Sequence, residues 1–488
     1  MSDLHWLSIA EAHEGLKSKK FSSKDLVDSS YARIKATDGK LHNFLTLTED
    51  HAYARAALAD KKIAAGEEIL PLEGVPAGMK DLFNTRGIRS TCSSKMLENF
   101  VPPYESTATQ RLLDNGYVLL GKNNLDQFAC GASTETSAFG PSLNPWNPEY
   151  VPGGSSGGST SAVAAGQVYF ALGTDTGGSI RQPASLSGCV GLKVTYGRVS
   201  RFGVTAMASS WDTVGPFART AQDAAIIMNA IAGSDKFDST TPQVEVPDYT
   251  ANLAKGVKGL RIGVPKEYFA EGVEQEVRDS VMAAVKEYEK MGAIISEISL
   301  PMTKYGVAVY YVTMPGELST NLSRYDGIRF GHKPDGEVAD LIDYYKRSRG
   351  EGFGSEIKRR IMVGTFVLSA GYADAYYKQA QRARTLIIQD FDRAFKEVDV
   401  MMAPASPTPA FKVGEKAANP LAMYLADALT IPPSAAGIPG ISIPCGFSSK
   451  GLPIGLQIMG PMWSESLILQ TAAAFEQATD WGKMRPKI

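Results

Sequence analysis

Between Val151 and Ser185 the chain reads VPGGSSGGSTSAVAAGQVYFALGTDTGGSIRQPAS, two glycine-serine turns separated by a small-residue stretch and a short apolar run. Gly153, Gly154, Gly157 and Gly158 in the first turn, and Gly177 and Gly178 in the second, let backbone N–H groups converge where a Cβ would intrude. Each turn presents a serine hydroxyl, which is a weak nucleophile at neutral pH and needs a base within hydrogen-bond reach. The five histidines, His5, His13, His42, His51 and His332, lie in no turn of this kind. Lys80 is the better base: it ends the Gly/Pro-punctuated apolar run LEGVPAGMKD, where burial would lower its pKa into a useful range. Glycine-serine clusters are more often linkers and lysines more often solvated, so the reading rests on the conjunction of the three pieces.

Competing chemistries fit less well. Residues 153–157, GGSSG, satisfy the G-x-S-x-G elbow of α/β-hydrolases, but the preceding NPWNPEYVP holds three prolines and cannot be the strand that elbow follows. The order Ser, acid, His would leave only His332, in the turn-like FGHKPDG. Neither glycine turn has the Lys-Ser/Thr of a P-loop or the G-x-G-x-x-G spacing.

Lys80 in GVPAGMKD, Ser155 in PGGSSGGS and Ser179 in GTDTGGSIRQPA together resemble the amidase signature family. The resemblance implies a Ser-Ser-Lys group with Ser179 as acyl nucleophile, Ser155 as the bridging serine and Lys80 as base. It also implies a cis peptide bond entering Ser155 and an oxyanion hole from the N–H groups of Thr176, Gly177, Gly178 and Ser179. Removing one such donor typically costs about a hundredfold in rate, which explains the need for unobstructed glycine backbone.

Within that family, Tyr310-Tyr311 and residues 321–331, 353–362 and 371–377, with STETSAFG from Ser133 and the 431–440 region, are similar to the glutamine-hydrolysing subunits of tRNA-dependent amidotransferases. A free amino acid brings a carboxylate and an ammonium, so its pocket needs one fixed cation and one fixed anion. The resemblance assigns Arg359 to the carboxylate and Asp427 to the ammonium, with Tyr310 and Ser133 also at the substrate. Asp427 lies in the apolar stretch MYLADAL, where a lone carboxylate is costly without a positive partner. Arg360 is read as part of a solvated helix face. Gln127 stands where this family often has Glu, and Met314-Pro315-Gly316 replaces a more usual Ala/Ser run.

The resemblance further implies L-glutamine as substrate and a heterotrimer completed by the B and C subunits of such an amidotransferase, the latter small. The B subunit would bind ATP, Mg and most of the tRNA, and would use the released ammonia to convert Glu-tRNA(Gln), with Asp-tRNA(Asn) left open. No cofactor or metal is expected in this chain. Charge agrees, since 50 basic and 52 acidic residues give a net −2 without a basic run that would track phosphates. Two rivals stay open: a stand-alone amidase on small amides and a non-catalytic scaffold.

These residues need an extensive core to position them, and 488 residues at 44% hydrophobic supply one. No apolar run is long enough to span a bilayer and the start lacks a signal-peptide pattern, so a cytoplasmic location is expected. Cys92, Cys130, Cys189 and Cys445 have no C-x-x-C spacing and are expected as small buried hydrophobes. One amidase domain is expected over 1–488: a helical region over about 1–66, a catalytic core over about 67–232, a surface connection over about 233–256, and a specificity and C-terminal sheet region over about 257–488. Helices are expected over 9–17, 23–35, 51–65, around 105–115 and 272–291, with Ser8 and Ser22 as N-caps. Strands are expected over 117–120, 168–172, 260–264, 293–300, 438–444 and 452–459. The fold class is α/β, a large mixed central sheet flanked by helices on both faces, as the family resemblance implies.

Overall fold

The computed structural model describes residues 3–488. The N-terminal region is helical because two serines start helices efficiently. Ser8 and Ser22 cap the helices Ile9–Lys17 and Ser23–Leu41, each accepting the N–H of Glu11 or Asp25, whose carboxylate takes the serine N–H in return. A third helix, Glu49–Ala65, ends at Gly66, whose φ of +74° needs no Cβ to strain.

Eleven strands form one sheet: β1 Phe44–Leu47, β2 Pro76–Lys80, β3 Val118–Asn123, β4 Phe170–Asp175, β5 Val190–Lys193, β6 Thr213–Ala218, β7 Arg261–Pro265, β8 Ile294–Ile298, β9 Val400–Pro404, β10 Gly440–Phe447 and β11 Pro453–Met459. Their spatial order is β1-β3-β2-β4-β6-β5-β10-β11-β9-β7-β8. Parallel blocks β3-β2-β4 and β9-β7-β8 lie towards the two ends, and antiparallel pairings through β6, β5, β10 and β11 join them. Strands on both sides of the 233–256 connection therefore belong to one sheet. Helices cover both faces, and β2, β3, β4, β6, β9 and β11 are buried along their whole length, as parallel and central strands must be.

The strand expected over 168–172 runs Phe170–Asp175, since Gly173, Thr174 and Asp175 stay in register with Gly215, Val214 and Thr213 of β6. This shift brings Thr174 level with the end of β2, where Lys80 sits: β2 and β4 are parallel neighbours, with Met79 opposite Leu172. The carboxyl ends of such strands are where α/β sheets build their sites. The helix Gly157–Ala164 begins just after Ser155 and packs on β4. A helical layer formed by Gly306–Leu322, Leu341–Gly352, Ser355–Leu368 and Lys378–Ala394 lies between β8 and β9 in the chain. Gly364 lets the Ser355–Leu368 helix cross Gly306–Leu322 closely, because a Cβ there would overlap the Pro315 carbonyl. All four cysteines are free and buried. Among the described residues no helix is long and apolar enough to cross a membrane.

Candidate active site

Lys80 is fully buried, and its ammonium nitrogen lies 2.9 Å from Ser155 Oγ, 2.8 Å from Ser156 Oγ and 2.9 Å from Thr174 Oγ1. Burial pulls its pKa down to about 7, against the raising effect of Asp126, Asp175 and Asp212. A neutral amine has two N–H donors and one lone pair. Ser156 gives its own proton to the Thr174 carbonyl at 3.3 Å, so it accepts from Lys80. The remaining N–H and the lone pair are shared between the Thr174 and Ser155 hydroxyls, which puts Ser155 within reach of the lone pair. The peptide bond from Gly154 into Ser155 is cis, and the Gly154 N–H is held by Gln182 Oε1 at 3.1 Å.

Ser179 follows β4 in the second glycine turn and is buried. The turn is braced from behind. Gly177 and Gly178 carbonyls accept from the Thr430 hydroxyl at 2.7 Å and the Gln182 N–H at 2.8 Å. Asp175 accepts the N–H groups of Ile180 and Arg181 and pairs with the Arg181 guanidinium at 2.9 Å. Arg181 also reaches Gln457 at 2.7 Å, Ser434 at 2.7 Å and the Thr430 carbonyl at 2.8 Å. Gly178 has φ +148° and abuts Thr430, so only glycine fits; a Cβ on Gly177 would press into the Tyr310 ring at 2.8 Å. Thr176 gives its hydroxyl to Asp212 at 2.7 Å. Burial pushes the Asp212 carboxyl up to about 6 although it accepts this bond and two backbone N–H bonds.

Three of the expected substrate residues lie against the two turns, Ser133 at the first and Tyr310 and Asp427 at the second, whereas Arg359 stands apart from both. Tyr310 is buried edge-on to Trp211, with ring centroids 5.3 Å apart, against the second turn. Asp427 is buried, and its Oδ1 lies 3.4 Å from the position a Gly178 Cβ would take. That oxygen has no hydrogen-bond partner among the described residues. Burial first, then the Asp175 charge, holds its carboxyl well above the usual carboxylate range despite the Arg360 charge. Ser133 and Arg359 line a cavity of about 310 Å³ with Glu135, Glu356, Lys416 and Tyr424 among its walls. The Gly131–Ser133 segment forms its inner wall and abuts Gly154 with its backbone, next to Ser155.

One expectation is overturned. Arg360 is not on a solvated face: it is buried, paired with Glu356 at 2.8 Å, and lies 5.4 and 5.3 Å from the ring centroids of Tyr311 and Tyr424, which stack on each other at 4.0 Å. Burial would lower its pKa, but Tyr311, Cys130, Glu356 and Tyr310 hold it well above the ordinary value. Arg359 is the exposed one, at the cavity mouth and paired with the other Glu356 oxygen. The helix Ser355–Leu368 buries Ile357, Arg360, Gly364 and Val367, and that spacing leaves Arg359 outside.

Asp126, Asp175, Arg181, Gln182, Asp212 and Thr430 escape sequence reasoning. Only GTDTGGSIRQ places some of them beside a motif, and the others reach the site from remote segments. Asp126 is a fully buried carboxylate accepting the N–H groups of Ser133, Thr134 and Thr136 at 3.3, 2.9 and 3.2 Å, which shapes the inner wall. Gln127 uses both ends of its amide, donating to Ser94 at 2.9 Å and accepting the Gly354 N–H at 2.8 Å, an arrangement a glutamate could not make. His332 serves neither turn: it pairs with Glu351 at 2.9 Å. With Asp335 these form a close His/Asp/Glu group among the described residues, but on an exposed segment where Glu351 already binds Arg347.

Comparison with known proteins gives the family of the chain. The A subunit of glutamyl-tRNA(Gln) amidotransferase from Geobacillus thermodenitrificans is 54% identical over 479 residues, 98% of each chain. The crystal structure of the corresponding A subunit from Thermotoga maritima superposes with a TM-score of 0.80 at 39% identity, covering 97% of this chain and 95% of that one. A bacterial aryl acylamidase of the amidase signature group superposes with a TM-score of 0.87 at 28% identity, covering 99% and 98%. The amidase family pattern matches residues 25–469, a span that contains the buried lysine, both serine turns and the braces behind them, and the chain belongs to the amidase family.

Proposed function

We propose that this chain is the glutaminase subunit of a tRNA-dependent amidotransferase. The observation that carries the reading is Asp427, a buried carboxylate oxygen without a partner beside the Ser179 turn. An unpaired buried carboxylate is costly, and the α-ammonium of an amino acid relieves that cost. The cationic end of the pocket is supplied by Arg359, with Arg360 behind it.

The reaction is acyl transfer. Neutral Lys80 takes the Ser155 proton as Ser155 takes that of Ser179, and Ser179 Oγ adds to the side-chain carbonyl carbon of glutamine. The oxyanion is met by the N–H groups of the braced turn at Thr176–Ser179. Collapse returns a proton to the leaving nitrogen and expels ammonia, leaving a glutamyl ester on Ser179. Water, deprotonated along the same path, hydrolyses the ester to glutamate. ATP, Mg and most of the tRNA contact belong to the B subunit of a heterotrimer completed by a C subunit, in which the ammonia amidates Glu-tRNA(Gln). The chain itself works without a cofactor, in the cytoplasm.

A stand-alone amidase is the second reading, favoured by the likeness to the aryl acylamidase. Glutamate release from L-glutamine separates the two, measured for the chain alone and with co-expressed B and C subunits, ATP and Glu-tRNA(Gln). Release that rises with the partners and vanishes in Ser179→Ala supports the amidotransferase. Indifference to the partners, with turnover of unrelated amides, supports the stand-alone enzyme.

A further inference from the structure

The cavity beside Ser133 carries more positive charge than the pair Arg359 and Arg360. Those two guanidiniums share one carboxylate, since Glu356 gives one oxygen to each and its Oε1 also accepts the Tyr424 hydroxyl at 2.9 Å. Lys416 lines the same cavity from the segment 411–424, also borders a second cavity beside Glu274 and Glu415, and among the described residues makes no ion pair. Glu415, Asp427 and Glu274 face it only through space, and burial pulls its pKa down.

Lys416 is held rather than free. Its nitrogen lies 4.0 Å from the centroid of the Phe411 ring, which is buried with Ala132, Val151 and Ala426 directly behind the inner wall. The segment is tied down at Phe411 and at Gly414. Val151 N–H donates to the Phe411 carbonyl at 3.0 Å, and Gly414 N–H donates to Glu135 Oε1 at 2.6 Å. An ammonium that rests on an aromatic face, borders a cavity and makes no ion pair among the described residues is arranged to receive an anion.

We propose that Lys416 is a specificity-determining residue that receives the substrate α-carboxylate together with Arg359, and so discriminates against amides lacking it. The inference rests on the glutaminase reading. That reading puts the α-ammonium at Asp427, so the carboxylate on the same carbon must find its cations close by, and Phe411, under the Lys416 nitrogen, packs with Ala426, the residue before Asp427.

The test compares L-glutamine with 4-aminobutanamide, which is glutamine without the α-carboxylate, using the full chain co-expressed with its partner subunits. Lys416→Met and Lys416→Gln both remove the charge, and Lys416→Arg keeps it. Loss of a charge-assisted contact raises KM for glutamine by about tenfold or more, with kcat changed far less. Turnover of 4-aminobutanamide stays at the wild-type value, and Lys416→Arg restores most of the affinity. Unchanged glutamine KM in both neutral variants, or equal loss on both substrates, overturns the proposal. If the wild-type complex releases no glutamate from glutamine, the glutaminase reading falls and takes this inference with it; if the wild type is active and the variants match it, only the inference falls.

Discussion

Lys80 can act as a base because the surrounding hydroxyls solvate it without neutralising it. Among the described residues no carboxylate touches its nitrogen; three hydroxyl oxygens do. With the pKa lowered to about 7 by burial, protonation below that value removes the lone pair, so glutamine hydrolysis falls as pH drops through about 7. Thr174 Oγ1 accepts more strongly from the ammonium than from the amine, and Thr174→Val therefore moves this acid limb to lower pH in a kcat–pH profile. An acid limb that stays in place in Thr174→Val would mean that another group sets it. The same shift has a stability consequence. Between about 7 and the ordinary lysine value of 10.5 the unfolded chain binds a proton that the folded chain does not, so the Lys80 contribution to stability grows as pH rises across that window. Asp427 gives a two-sided prediction. Asp427→Asn relieves a buried carboxylate and leaves the melting temperature equal or higher, while KM for glutamine rises by about tenfold or more. A variant that loses stability and keeps its KM would assign Asp427 to the core instead of the substrate.

Elements rather than single residues decide how much of this is readable in the sequence. Gly364 is the contact point of the helices Gly306–Leu322 and Ser355–Leu368, and Gly364→Ala pushes them apart at the Pro315 carbonyl. The expected loss is about 1–3 kcal/mol in denaturant unfolding, and an unchanged midpoint would show that the helices can slide. The glycine turns, Lys80 and the capped helices at Ser8 and Ser22 are legible because each is a local pattern with a local cause. Strand β2 does not read as a strand, since PAGMK combines Pro and Gly with a central, fully buried place; Pro76 is tolerated there as the first residue. Arg360 reads as solvated from the charge run alone, although the sequence holds the contrary signal. Ile357, Gly364 and Val367 recur at the spacing of one helix face, and Arg360 falls on that face. Asp212 and Thr430 have no such signal, because their partners Thr176 and Gly177 lie 36 and 253 residues away.

At the scale of the molecule, remote segments are locked together through buried polar groups. The first helix is tied to the core by Asp223, whose Oδ1 accepts the Ile9 N–H at 2.9 Å across 214 residues. Burial pushes the Asp223 carboxyl up to about 6 in spite of Arg219. Between the ordinary value of 3.8 and about 6 the folded chain binds the extra proton, so this group makes the protein less stable as pH rises through that window. Asp223→Asn keeps an acceptor for Ile9 and abolishes that slope. Its melting temperature gains on the wild type as pH rises from about 4 to about 6.5, and parallel curves would place the titration elsewhere. The brace behind Ser179 has a temporal consequence. Lys80, Ser155 and Ser179 have all left the ribosome while Thr430, Ser434 and Gln457, which fix the nucleophile's turn, are still to be translated. A nascent chain thus holds its reactive groups without the fixed amides that would make them effective, and hydrolytic competence arrives only when β10 and β11 close the sheet, as a late step of synthesis.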